Sequence, residues 1–139
     1  MDSVLGTNIL VKFGEPRPVT EFRPKYWGIY FGAHWAPPSR KFTNDLNLFY
    51  DKVNAGASSH EKVLEVVFAS MDGSIKAFEE NLAKMHWFGL PYEEEARLAA
   101  LKVKYDISQL PMLVIVTTDG SKVLSKDARQ DIVNAGVDD

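Results

Sequence analysis

The chain has 139 residues, 45% of them hydrophobic and 25% charged, which is typical of one globular domain with its own core. Its formal net charge of −3 lacks the basic excess that nucleic-acid binding needs, and no apolar run approaches the length of a membrane span. The sequence contains no cysteine, so disulfides, thiolate metal sites and thiol catalysis by its own side chains are excluded.

The first part of the chain predicts two strands separated by a loop. Residues 7–13 alternate between apolar and polar and predict a short strand with Ile9 on its buried face. Residues 14–24 contain three prolines and a glycine, which indicates a loop. Residues 26–31 are almost entirely apolar, as expected for a central strand that is covered on both faces.

A helix is predicted directly after this central strand. Pro37 and Pro38 suit the first helical turn, where backbone N–H groups have no partner inside the helix. The apolar residues that follow are spaced by four, three and four positions, which places them on one face of a helix: Phe42, Leu46, Phe49 and Val53. A helix N-terminus carries partial positive charge, which would acidify a cysteine placed there.

The middle of the chain predicts another strand and another helix. Residues 63–70 are apolar and β-branched, and this strand is parallel to the central one if the helix between them is a right-handed crossover. Residues 72–74 supply polar caps for a helix whose apolar face contains Ile75, Phe78 and Leu82. Residues 85–91 then read as an aromatic-rich loop.

The last third of the chain predicts a helix, a hairpin and a closing helix. The acidic residues 93–95 open the first of these helices. Residues 110–116 form a third buried strand, and a turn at 118–121 folds residues 122–124 back antiparallel to it. A helix over 127–135 closes the chain. The order predicts a single domain over residues 1–139 of the α/β class, with a mixed sheet and helices on both of its faces.

Residues 26–43 resemble the active-site stretch of tryparedoxins and nucleoredoxins, a branch of the thioredoxin superfamily. Their motif reads Trp-Cys-Pro-Pro-Cys-Arg, and six residues of this region match the family pattern: Trp35, Pro37, Pro38, Arg40, Phe42 and Thr43. The two cysteine positions hold Ala36 and Ser39 instead. The resemblance therefore implies a thioredoxin-like fold whose expected catalytic thiols are missing.

The resemblance extends over nearly the whole chain. Further matches occur in the family's order at Ser70 and Asp72, Met85 and Trp87, Leu90 and Pro91, Lys104 and Tyr105, Pro111, Asp119 and Gly120, and Ala128 and Arg129. One further departure is Met112, where the family usually has threonine.

The resemblance also implies a substrate groove. Pro111 matches the cis-proline that faces the motif in thioredoxin folds, and the backbone of Leu110 beside it would pair with an extended peptide. Trp35, Pro37 and Pro38 would border the same groove. Arg129 matches an arginine near the groove that could meet an acidic or glutathione-like ligand, but it could equally form a surface ion pair. For Asp72 we favour capping of the next helix over a role at the groove.

Other chemistries find little support in the sequence. Ser39 could act as a nucleophile only with a base and an orienting third group, and His34 alone does not supply that set. We expect Ser39 to pack in the first helical turn. His34, His60 and His86 lack metal-ligand spacing, and no glycine-rich phosphate loop occurs, so no metal or cofactor is expected.

Two explanations of the missing cysteines remain open. We favour a natural, redox-inactive paralogue that binds a protein or peptide at the groove. The alternative is an engineered cysteine-free form of an active thiol-disulfide oxidoreductase. A structural or assembly role of the sheet edge or the outer helices is a third hypothesis. No signal-like segment is visible in the sequence, so we expect a cytoplasmic protein, and we expect it to be a monomer.

Overall fold

The computed structural model describes residues 1–6, 8–10, 16–33, 35–58 and 61–135. Its strands are β1 (Asn8–Leu10), β2 (Pro16–Pro18), β3 (Tyr26–Gly32), β4 (Leu64–Ser70), β5 (Phe88–Gly89), β6 (Met112–Thr117) and β7 (Val123–Ser125). Its α-helices are α1 (Asp2–Leu5), α2 (Pro37–Val53), α3 (Ile75–Leu82), α4 (Glu95–Lys104) and α5 (Arg129–Ala135). Among these helices none has the length and apolar character needed to cross a membrane.

The strands form one mixed sheet in the order β2-β1-β5-β4-β3-β6-β7. Strand β3 lies at its centre, parallel to β4 and antiparallel to β6. Helix α2 connects β3 to β4, as the predicted crossover requires. The predicted hairpin is also present, because β7 pairs antiparallel with β6 after the turn at Gly120, whose φ is +78°.

A hydrophobic core lies on each face of the sheet because successive side chains of a strand point to opposite faces. Trp27, Ile29 and Phe31 of β3 pack on the face covered by α1 and α4. On the other face, Tyr30 packs with the apolar residues of α2, α3 and α5, which include Phe42, Leu46, Phe78, Leu82 and Ile132. The predicted mixed sheet with helices on both faces is confirmed.

Strand direction brings three distant segments to one edge of the sheet. Strands β3 and β4 are parallel, and their last residues, Gly32 and Ser70, are paired. Strand β6 runs the opposite way and begins at Met112, whose partner is Phe31. The loop after β3, the loop after β4 and the segment before β6 therefore meet at this edge, where the candidate site lies.

Some predicted elements differ from the structure. Strand β1 covers part of the predicted strand, of which residues 7 and 11–13 lie outside the described residues. The predicted loop at 14–24 includes the short edge strand β2, a position where prolines are tolerated. Ile75 does not join the apolar face of α3, since it is the first residue of that helix and is 46% exposed. The sequence pattern also missed α1 and the two-residue strand β5, both too short for a periodicity to show.

Candidate functional site

The loop after β3 presents an exposed tryptophan at the sheet edge. The side chain of Trp35 is 63% exposed, yet its indole Nε1–H donates a 3.0 Å hydrogen bond to the main-chain carbonyl of Met71. Ala36 follows as the N-cap of α2 and is buried, and its own side chain offers no group that could cap the helix. Pro37 and Pro38 form the first turn of α2, as the sequence predicted, and both are exposed.

Ser39 lies beneath this surface rather than on it. It is 2% exposed, and its Oγ accepts a 3.4 Å hydrogen bond from the Ala33 N–H. Its carbonyl oxygen accepts hydrogen bonds of 2.9 Å from the hydroxyls of Tyr30 and Thr43. Burial raises the pKa of Tyr30 to about 12, so this phenol stays protonated and acts as a donor at neutral pH. The predicted packing of Ser39 in the first helical turn is confirmed, and the network holds that turn against β3.

The peptide bond between Leu110 and Pro111 is cis, as the match to the family's cis-proline predicted. Pro111 is buried and Leu110 is half-buried. Within the described residues, neither the N–H nor the C=O of Leu110 has a hydrogen-bond partner. This segment therefore offers a free main-chain donor and acceptor at the sheet edge.

A cavity of about 660 Å³ opens between the motif and α4. One wall consists of Trp35, Ala36 and the segment that ends at Leu110. The other wall is formed by the end of β4 and by residues of α4 and its flanks, which include Tyr92, Glu95, Leu98, Ala99 and Lys102. Of the predicted groove residues, Trp35 and Leu110 thus line this cavity.

Three of the other predicted groove residues border a different, smaller pocket, whereas Pro37 is not among the lining residues of either. Pro38, Pro111 and Arg129 line a space of about 280 Å³ on the α2–α5 side. The Arg129 guanidinium contacts both carboxylate oxygens of Asp127, with an Nη2–Oδ2 distance of 2.7 Å. Partial burial opposes ionisation of Asp127, but the hydrogen bonds and charge of Arg129 hold the pKa of this carboxyl below its ordinary value. Arg129 thus forms an ion pair, which is one of the two roles that the sequence suggested for it. It also lines the same pocket as Pro111.

The preferred interpretation of Asp72 was wrong. Ser74 is the N-cap of α3, and its side chain accepts a 3.1 Å hydrogen bond from the Ala77 N–H. Asp72 instead lies in the wall of the larger cavity, where its Oδ2 accepts a 2.6 Å hydrogen bond from the hydroxyl of Ser70. Its carbonyl accepts another hydrogen bond of 2.6 Å from the hydroxyl of Tyr92.

The residues that the structure describes hold no cluster of three metal-ligating side chains. His34 and His60 lie outside these residues, so the structure does not describe their surroundings. His86 pairs with Asp51, with 2.8 Å between Nδ1 and Oδ2, on the exposed surface. Trp87 is 1% exposed and belongs to the core, as predicted.

Comparison with known proteins agrees with this geometry. The family model described as thioredoxin-like matches residues 24–122. The chain belongs to the thioredoxin-like family.

Among curated relatives, tryparedoxin from Trypanosoma brucei brucei is 30% identical over 91% of this chain and 84% of its own length. Probable nucleoredoxin 3 from Oryza sativa subsp. japonica is 36% identical over 88% of this chain and 25% of its own length. Among solved structures, tryparedoxin II complexed with glutathionylspermidine superposes with a TM-score of 0.82 at 34% identity, covering 92% of this chain and 85% of that one.

The chain spans about a quarter of the length of the nucleoredoxins that it matches. It spans most of the tryparedoxins, which places it in the tryparedoxin and nucleoredoxin branch of the thioredoxin-like family. The chain contains no cysteine, and the two positions that hold cysteine in the motif hold Ala36 and Ser39 here.

Sequence reasoning missed the wall of the larger cavity that α4 provides. Leu98 of α4 and Ile107, which follows this helix, line the wall and are largely buried. A periodic pattern shows that one face of a helix is apolar, but it does not distinguish a residue that packs against the sheet from one, such as Leu98, that lines a cavity. The polar residues Ser108 and Gln109, directly before Leu110 and the predicted cis-proline, were the available signal that this region is open to solvent.

Proposed function

We propose that this chain is a redox-inactive thioredoxin-like protein that binds an extended peptide or protein segment at the surface formed by Trp35 and the Leu110–Pro111 bond. The observation that carries the proposal is the combination of two features at one edge of the sheet. The positions of the catalytic cysteines hold Ala36 and Ser39, while the free main chain of Leu110 is retained beside them.

The loss of thiol chemistry follows from the two side chains. Thiol-disulfide exchange needs a thiolate that attacks a disulfide sulfur and a second thiol that resolves the mixed disulfide. A methyl group at Ala36 cannot attack. The Ser39 hydroxyl is buried, and among the described residues it has no carboxylate or imidazole within hydrogen-bond distance to activate it.

The binding surface is supported by the main chain and by one aromatic side chain. An extended peptide can pair with an unpaired N–H and C=O as it would with a sheet edge, and among the described residues both groups of Leu110 lack a hydrogen-bond partner. Trp35 adds a large exposed ring whose orientation is fixed by its hydrogen bond to Met71, so little conformational entropy is lost on binding. Aromatic side chains of this kind are enriched among residues that dominate binding energy.

The alternative, an engineered cysteine-free form of an active oxidoreductase, is favoured by one observation. Both residues occupy the environment that catalytic thiols would need. Ala36 lies at the N-cap position of a 17-residue helix, and Ser39 is buried in the first turn of that helix. Restoring both cysteines distinguishes the two explanations, and the expected outcome is given in the Discussion.

The proposal is tested with a phage-displayed library of linear random peptides. We expect enrichment of peptides that bind the unmodified chain and lose binding to Trp35→Ala. The matched control is Leu48→Ala, which changes another exposed large side chain, 53% exposed, on the outer surface of α2. A failure to enrich any peptide, or equal binding by Trp35→Ala and Leu48→Ala, would contradict the proposal. In parallel, the unmodified chain should not accelerate the reduction of a disulfide-bonded protein by dithiothreitol.

A further inference from the structure

We propose that Met71 is a site of reversible oxidation by hydrogen peroxide, and that its sulfoxide changes the surface around Trp35. The chain contains no cysteine, so the sulfur chemistry of its side chains rests on its four methionines. The inference concerns a modification of this surface and does not depend on whether a peptide binds there.

Burial separates the four methionines into two pairs. Met85 is 0% exposed and Met112 is 4% exposed, and each belongs to one of the two hydrophobic cores. Met1 and Met71 are half-buried. Oxidation of a methionine requires access of the oxidant to its sulfur, and a core methionine reacts only when the fold opens locally. Met1 and Met71 are therefore the methionines that an oxidant reaches in the folded protein.

Of this half-buried pair, Met71 lies at the candidate site. Its side chain packs against the core on the α4 side of the sheet and lines the larger cavity together with Trp35 and Leu110. This cavity, of about 660 Å³, admits hydrogen peroxide easily, since that molecule is about the size of two waters. The sulfur of Met1 instead lies beside Gly120, at the turn between β6 and β7.

The main chain of Met71 is held on both sides. Its N–H donates a 2.9 Å hydrogen bond to the carbonyl of Gly32 at the end of β3, and its carbonyl accepts the 3.0 Å hydrogen bond from the Trp35 indole. Because both groups are bound, the residue keeps its position when its side chain changes. The effect of oxidation is therefore confined to the cavity wall beside Trp35.

The reaction itself needs no ionised group. A thioether sulfur carries a free lone pair at every pH, whereas a thiol reacts as its thiolate. The Met71 sulfur attacks one oxygen of hydrogen peroxide, so the S–O bond forms as the O–O bond breaks. The second oxygen leaves as water after it takes up the proton of the first. Methionine gives up an electron pair, and the peroxide accepts it.

The product differs from methionine in polarity. Oxidation converts a flexible apolar side chain into a polar one, and the core against which Met71 packs consists of apolar side chains. Burying the sulfoxide oxygen there without a hydrogen-bond donor is unfavourable. The oxidised side chain should therefore turn away from the core and into the open cavity, which places a polar acceptor beside Trp35.

The first measurement is the oxidation rate of each methionine in the folded, unmodified chain. The methionines fall in four different tryptic peptides, which are residues 1–12, 63–76, 85–97 and 105–122. Mass spectrometry of digests sampled during hydrogen peroxide treatment therefore follows each site separately. We expect Met71 to react at least about tenfold faster than Met85 and Met112, and we expect this difference to disappear in urea. Methionine sulfoxide reductases A and B with dithiothreitol should then remove the added oxygen.

The second measurement is the fluorescence of Trp35. Trp27 and Trp87 are 0% and 1% exposed, so acrylamide quenches mainly the 63% exposed Trp35. Oxidation of the unmodified chain should change this quenching, and the reductases should restore it. The matched control is Met71→Leu, which keeps an apolar side chain of similar volume and leaves Met1 in place. Peroxide treatment should leave the quenching of this variant unchanged.

The contrary outcomes are equally specific. Similar oxidation rates at Met71 and Met112 in the folded chain would overturn the inference, as would a change in quenching that persists in Met71→Leu. A sulfoxide at Met71 that both reductases leave in place would contradict its reversibility. None of these measurements uses a peptide, so a random library that yields no binder would overturn the proposed function and leave the assignment of Met71 intact.

Discussion

The Trp35 indole and the Met71 carbonyl join two loops that are 36 residues apart in sequence by a hydrogen bond of 3.0 Å. One loop follows β3 and contains the first cysteine position of the family motif, and the other follows β4 and begins a wall of the larger cavity. This contact fixes an exposed aromatic ring beside the free main chain of Leu110.

The first prediction concerns the Trp35 indole. Trp35→Phe keeps an aromatic ring but removes the donor to Met71, so the ring should sample more orientations. Since the contact is exposed, the free energy of unfolding should fall by less than about 1 kcal/mol. Peptide affinity should fall further than stability does, because the ring must be ordered on binding. Urea denaturation and peptide titration measure the two effects, and an unchanged affinity would show that the orientation of the indole is unimportant.

The second prediction concerns restoration of the motif. In the double variant Ala36→Cys/Ser39→Cys, the thiol at position 36 lies at the N-terminus of a 17-residue helix. The helix dipole should lower its pKa below the ordinary value of about 8.5. For the binding paralogue that we favour, we expect a disulfide that forms poorly or a dithiol without catalytic turnover, in contrast to the potentials of about −270 to −120 mV of active thioredoxin-fold oxidoreductases. Thiolate absorbance against pH and equilibration with a glutathione couple measure these quantities, with each single variant as a control.

Either result of this experiment bears on the origin of the missing cysteines. A disulfide with catalytic turnover would mean that two side chains alone account for the loss, which favours engineering or recent loss. A disulfide that forms poorly, or a dithiol without turnover, would show that the surrounding groove has diverged and would favour the binding paralogue.

The third prediction concerns Glu65, a buried acid near the start of β4, at the opposite end of this strand from the motif. It is 1% exposed, and its carboxyl accepts a 2.8 Å hydrogen bond from the Tyr50 hydroxyl, with Lys62 Nζ at 3.8 Å. Burial raises the pKa of Glu65 above its ordinary value, despite the opposing effect of both partners. The folded state therefore favours the protonated form of Glu65. Its contribution to the free energy of unfolding is fully present below the ordinary pKa of about 4.3 and is lost as the pH rises through the raised pKa of the folded state.

Glu65→Gln should remove this pH dependence. The unfolding free energy of the variant, relative to that of the unmodified chain, should increase as the pH rises through this window. Glu80→Gln, on the exposed surface of α3, is the control and should leave the profile unchanged. Parallel pH profiles for Glu65→Gln and the unmodified chain would contradict the prediction.

The fourth prediction concerns Asp127. Besides its contacts with the Arg129 side chain, Asp127 Oδ1 accepts the Arg129 N–H at 3.2 Å and the Leu113 N–H at 3.4 Å. Asp127→Ala removes all of these contacts at the start of α5 and should cost about 1–2 kcal/mol. Asp127→Asn keeps an acceptor oxygen and should cost less. Chemical denaturation at neutral pH gives both values, and equal losses would show that the charge alone matters.

The same residue gives a second pH dependence of opposite sign. Because the pKa of Asp127 is lowered in the folded state, its contribution to stability is present above the ordinary pKa of about 3.9 and is lost as the pH falls through the lowered value. Asp127→Asn should therefore differ most from the unmodified chain at neutral pH and approach it in acid.

The sequence by itself determined the central part of the fold. The continuous apolar runs of β3, β4 and β6 are typical of buried strands, and the spacing of Phe42 and Leu46 is typical of a helix with one apolar face. The motif residues also indicated the family and its missing thiols, because these depend on residue identity at fixed positions. Short elements such as β5 and α1 escaped detection because two to four residues carry no measurable periodicity.

Only the tertiary structure decided how the site residues are shared between surfaces. Trp35 and Leu110 line one cavity, whereas Pro38 and Arg129 line another, and the Leu110–Pro111 segment lies between the two. Likewise, Ser74 rather than Asp72 caps α3, since the chain direction after β4 points the Asp72 carboxylate toward Ser70. A sequence pattern records which residues are present, but which of them face the same space depends on strand direction and on the packing of helices from distant parts of the chain.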